Sequence, residues 1–160
     1  MLKLTPRDLK REANSEMVRE LLSSRYLSFS VDEVVVRESS ASETTQVECE
    51  LDVRDQTGLG VSYKIKGTGA GVLDALFNGI ADEMIPDCRT LKNLSRSRSI
   101  LSASVDVVIE TIQYFVNSEV AVLYLKELVE DSKKRNRFDL TDDYISKLSD
   151  LMSNTSYEDV

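Results

Sequence analysis

The sequence predicts an α+β fold in two layers, an antiparallel sheet with helices packed on one of its faces. Two observations carry this expectation. Val47, Cys49, Leu51 and Val53 alternate with Gln46, Glu48, Glu50 and Asp52. That period of two marks a half-buried antiparallel strand with one wet, acidic face. The next strand pattern then runs through a cluster of glycines into Val72, Ala75, Leu76, Gly79, Ile80 and Met84, which share one face of a helix.

Taken in order, Thr5-Pro6-Arg7-Asp8 is a helix start, with Thr as N-cap, Pro in the first helical position and an acid in the first turn. Leu9, Ala13, Met17 and Leu21 recur every fourth residue with Val18 and Leu22 beside them, giving an N-terminal helix over 6–23. Leu27, Phe29 and Val31 then alternate with serines, and Val34-Val35-Val36 carries that strand on. Ser39-Ser40-Ala41-Ser42 is a polar connection to the acidic strand, and Asp55-Gln56-Thr57-Gly58 is turn chemistry. Val61, Tyr63 and Ile65 alternate with Ser62, Lys64 and Lys66, which places the lysines on the wet face beside Glu48 and Glu50. The helix after the glycines should end near Pro86. Residues 25–85 therefore read as a βββα unit.

A shortened second unit follows. Arg89 to Leu101 reads as a short strand and a loop. From Ser104 the chain is apolar, and Val105, Val107 and Ile109 suit a strand as well as a helix. Length favours a helix, with Asn117-Ser118 as a break and second N-cap. Residues 131–139 read as a charged linker. Thr141-Asp142-Asp143 caps a short helix carrying Ile145, Leu148 and Met152, and a frayed tail begins at Ser153. The expected organisation is one domain over 1–130, with linker, helix and tail over 131–160.

Composition narrows the function. At 160 residues the chain is too short for a (β/α)₈ barrel. A net charge of −8 argues against nucleic acid, since phosphate neutralisation needs a basic surface. The local basic groups Arg96 with Arg98, and Lys133 to Arg137, read as solvated segments. The sequence holds no histidine, which removes histidine acid–base chemistry, Ser-His-Asp triads and histidine metal sites. Cys49 reads as a small core residue, and Cys88 stands far from it. No nucleophile–base pair emerges, so an enzyme is not expected, and neither is a cofactor or metal. The N-terminal residues have no apolar signal core and no membrane span is convincing, so a cytoplasmic protein is expected.

The stretch Gly67-Thr68-Gly69-Ala70-Gly71 is the candidate site, read as a tight turn between strand and helix. Glycines at alternate positions permit positive φ and leave room for another group beside the main chain. Amides at the following helix start can hold a carboxylate or phosphate. The spacing is neither a dinucleotide fingerprint nor a phosphate loop. Asp74 suits the positive end of the helix. The candidate binding residues are Gly67, Thr68, Gly69, Ala70, Gly71, Val72, Asp74 and Ala75.

The run Gly67 to Asn78 resembles the "G-x-G-P-V-D-A" strand–helix junction of the C-terminal regulatory, dimerisation domain of α-isopropylmalate synthase and citramalate synthase. Ser104-Val105-Asp106-Val107-Val108 with Phe115-Val116-Asn117 resembles the second helix of that domain. The likeness covers about residues 25–118. It implies a dimeric, free-standing regulatory module with a leucine-like amino acid or keto acid bound near the junction. Two departures stand out. Ala70 and Gly71 fall where the family often has Gly-Pro, and Leu101-Ser102-Ala103-Ser104 lacks the second junction's glycines. The alternative is a homodimeric interaction module that has kept the fold without the ligand. Val107, Tyr114, Val122, Tyr124 and Leu125, surplus to the main apolar stripe, support that alternative.

Overall fold

The computed structural model describes residues 6–84 and 105–154. The expectations for Thr5, Pro86, Cys88, Arg96, Arg98, the strand and loop of 89–101, the junction at 101–104 and the end of the tail lie outside them. The described chain runs α1 (Pro6–Leu22), a 3-10 turn (Ser23–Arg25), β1 (Ser28–Val31), β2 (Val35–Ser39), β3 (Thr44–Arg54), β4 (Gly60–Gly69) and α2 (Val72–Met84). Two further helices are α3 (Val105–Lys134) and α4 (Phe138–Asn154). This is the α+β arrangement of antiparallel sheet and helices.

The chain divides into two compact units. Residues 24–116 form a sheet unit, and residues 1–23 with 117–160 form a helical unit. The boundary falls within α3, not at the charged segment near 131.

In the sheet unit β3 is central. β4 pairs antiparallel along one side of it, from Thr45 opposite Gly69 to Arg54 opposite Gly60. β1 and β2 share the other side. Between Val31 opposite Leu51 and Val35 opposite Glu48, the β1–β2 chain advances four residues while β3 advances three. One extra residue is therefore inserted at 32–34, a bulge that splits the expected continuous strand in two. Alternation then sorts the sheet. Phe29, Val47, Leu51, Val53 and Ile65 are buried, with Val34, Cys49 and Tyr63 packed beside them. Lys64 stands opposite Glu50 and Lys66 opposite Glu48 on the wet face, as the alternation predicts.

Two helical segments complete this core. From α2, Ala75, Leu76, Phe77, Ile80, Ala81 and Met84 are buried; Phe77 and Ala81 widen the face beyond the sequence stripe. From α3, Val108, Ile109, Ile112 and Val116 are buried at helical spacing, which decides helix over strand for 105–116. Gln113 fixes this segment to β1: its Oε1 accepts the Phe29 N–H at 2.9 Å and its Nε2 donates to the Tyr26 hydroxyl at 3.1 Å.

The helical unit corrects five local expectations. The helix α3 passes through Asn117 and Ser118 without a break, and both are fully buried. The linker shrinks to a three-residue turn. There Asn136 (φ 56) takes the left-handed position, Asn136 N–H bonds Lys133 C=O at 3.1 Å, and Arg137 N–H bonds Ser132 C=O at 2.9 Å. This is a Schellman C-cap, which an asparagine can supply. α4 starts at Phe138, so Thr141 is no cap; its buried hydroxyl meets that of Ser132 at 2.6 Å. Leu151 is the fully buried residue of α4, while Ile145 is exposed. Among the described side chains of α1 the buried ones are Asn14, Val18 and Leu22, and Ala13 is exposed. Asn14 Nδ2 donates to the Asp150 carbonyl at 3.2 Å.

Candidate functional site at the β4–α2 junction

The glycine run is not one tight turn. Gly67, Thr68 and Gly69 are still strand, facing Val47, Gln46 and Thr45 of β3. Only Ala70 and Gly71 make the turn, and α2 starts at Val72. None of the three glycines uses positive φ; among the described glycines Gly58 alone does.

For Gly67 and Gly69 the reason is close approach, whereas a Cβ on Gly71 would meet nothing within 4 Å. A Cβ on Gly67 would overlap the Ala75 carbonyl oxygen and lie 2.9 Å from the Gly79 nitrogen. One on Gly69 would stand 2.5 Å from Asp74 Oδ2 and 2.6 Å from the Ala75 nitrogen. From the other side, a Cβ on Gly79 would lie 2.7 Å from Ile65 Cγ2 and 3.0 Å from the Gly67 Cα. The first two turns of α2 therefore sit backbone-to-backbone on β4, and any Cβ at Gly67 or Gly79 would separate them. The room that the glycines leave is filled by the chain's own helix.

Polar groups of the junction are used in the same way. The Gly71 carbonyl accepts the Ala75 N–H at 2.9 Å, the first helical bond. Asp74 turns its carboxylate back to the Ala70 N–H at 3.0 Å, an acid at the positive end of α2. Asn78 Nδ2 donates to the Thr68 carbonyl at 3.1 Å. A ligand carboxylate at this helix start would compete with that of Asp74. Of the eight candidate residues, Gly67 and Ala75 are buried, Gly69, Gly71, Val72 and Asp74 are half-buried, and Thr68 and Ala70 are exposed. The sequence reading omitted Asn78 and Gly79 from the site; a glycine on the buried face of a helix was the available signal for the second.

Elsewhere, Asp52 and Asp55 are engaged in structural hydrogen bonds. Asp52 bonds Arg54 Nε at 2.6 Å and Ser62 Oγ at 3.0 Å, and the Arg54 hydrogen bond leads in holding its carboxyl below the usual range. Asp55 Oδ1 accepts the Thr57 hydroxyl at 2.6 Å and the Thr57 and Leu59 amides at 2.9 and 3.1 Å, with the hydroxyl first among the causes that lower it. Burial pushes the Cys49 thiol up, away from the reactive thiolate. Among the described residues no cluster of acids and cysteines has metal-site geometry. No described helix is long and apolar enough to cross a membrane.

The apolar surplus expected to mark an interface is largely internal. Val122 and Leu125 are buried, Tyr114 and Tyr124 are half-buried, and Val107 alone is exposed. In comparisons with known proteins, no family model, no curated sequence and no solved structure matches this chain significantly.

Proposed function

We propose that this chain is a non-catalytic association module, the reading in which the glycine junction serves the fold and binding is between protein surfaces. The observation that carries it is the backbone contact of Gly67 and Gly69 with Asp74 and Ala75, which fills the space an effector at the junction would need. The resemblance to the regulatory domain makes a second copy the expected partner. The competing reading is an effector module with a leucine-like amino acid or keto acid at Gly67–Ala75.

A thermal-shift screen with the amino acids and small keto acids separates the two. A ligand at 100 times its Kd would raise stability by about 2.7 kcal/mol. The association module is expected to show no such shift, and a saturable shift lost in Gly69→Val, with that variant still folded, would establish the effector reading in its place. Sedimentation over a range of concentrations reads the self-association arm, with a mass of two chains as the expected result.

A further inference from the structure

Among the described residues no strand pairs with the outer edge of β4, and the residues of that edge can be identified. Asp55 N–H bonds Leu59 C=O at 2.8 Å at the hairpin end, so the odd-numbered residues of β4 face β3 with their backbone groups. The Asp32 N–H bonds Glu50 C=O at 3.3 Å from the opposite side of β3, so the Glu50–Lys64 pair has its backbone groups turned away from each other. The Asn78 bond to the Thr68 carbonyl agrees with this phase. Ser62, Lys64 and Lys66 therefore point their N–H and C=O groups outward, and no other described strand pairs with them.

The other side of the sheet is treated differently. There β1 has its outward Phe29 amide taken by Gln113. β2 is only five residues long, and the same phase leaves just Val36 and Glu38 facing outward.

The side chains along the β4 edge define what would fit. Lys64 and Lys66 are exposed on the wet face, with Glu50 and Glu48 as their neighbours on β3 only. On the opposite face, Val61 is 56% exposed and Tyr63 half-buried, next to Leu59 at 74% exposed. β3 already meets β4 with acids opposite the lysines and apolar residues opposite Val61 and Tyr63. A strand on the outer edge would meet the same two faces.

We propose that the β4 edge at Ser62–Lys66 binds an extended segment of another protein in which acidic and apolar residues alternate. The proposal rests on the association reading above and adds, at this edge, a partner distinct from the second copy expected there. Main-chain bonds give affinity, and the alternating side chains give selectivity. A second copy pairing β4 to β4 in its centred registers would set lysine opposite lysine, which is unfavourable.

The test uses the full chain and a short, capped, fluorescent peptide alternating glutamate with valine, beside its lysine–valine counterpart. Saturable binding of the glutamate peptide only, weakened by salt, is expected. Lys64→Pro removes an outward N–H and leaves the β3 ladder intact, a position where an edge strand accepts proline. It should weaken binding about tenfold or more, the loss of main-chain bonds to the peptide, with the far-UV circular dichroism unchanged. The double variant Lys64→Glu/Lys66→Glu needs no proline and should transfer preference to the lysine peptide. No binding to the wild type, or binding indifferent to both variants, overturns the proposal while leaving the association reading to its own test. Self-association abolished by Lys64→Pro also overturns it, in favour of a second copy.

Discussion

The β3–β4 hairpin and the β4–α2 junction stand at opposite ends of one strand, and both depend on glycine for opposite reasons. At the hairpin Gly58 has φ 91, and a Cβ there would meet nothing within 4 Å. Its requirement is conformational. At the junction Gly67 has ordinary strand geometry, and a Cβ there would strike the α2 backbone. Its requirement is spatial. At Gly67 and Gly69 the glycines thus mark close approach, and the approaching group is the helix itself.

The largest expected effect tests the spatial requirement. Gly67→Ala should destabilise by about 3 kcal/mol, at the upper end of overpacking costs because backbone on α2 would have to move. Urea denaturation would read it, and a loss below about 1 kcal/mol would mean that α2 can lift from β4 freely. Gly58→Ala comes next, at about 1 kcal/mol, from the left-handed conformation alone.

The hairpin end also carries a pH signature. Asp52 and Asp55 have folded pKa values lowered by their hydrogen bonds. Their contribution is present above the unfolded value of about 4 and is lost as pH falls through the folded values. The urea midpoint should fall in that acid window, and the fall should be smaller in Asp55→Asn. An unchanged acid dependence in that variant would remove Asp55 as a source. Gly71→Ala is the control at the junction: nothing lies within 4 Å of its Cβ position and its φ is not positive, so stability should change by less than about 0.5 kcal/mol.

Legibility followed the same divide. The pairing of Lys64 with Glu50 and Lys66 with Glu48 could be read because period-two alternation fixes which side chains share a face, and a short turn fixes which strands meet. The turn at Asp55–Gly58 could be read from its residue types. The bulge at 32–34 could not, since Val34-Val35-Val36 is equally apolar with or without an inserted residue. Asn117 and Ser118 looked like a break because polar residues favour helix caps, yet both are buried within α3. Val122 and Leu125 looked surplus because a helical wheel counts apolar residues without knowing what covers them.

By itself the sequence determined the α+β class, the strand faces and their charges, because these follow from local periodicity and turn chemistry. Tertiary structure alone decided what stands against each face. The space beside Gly67 and Gly69 is closed by α2, through contacts between the backbone of strand and helix that no side-chain pattern encodes. The outward groups of β4 follow from the same kind of fact, the phase of its hydrogen bonds, and among the described residues no second strand pairs with them.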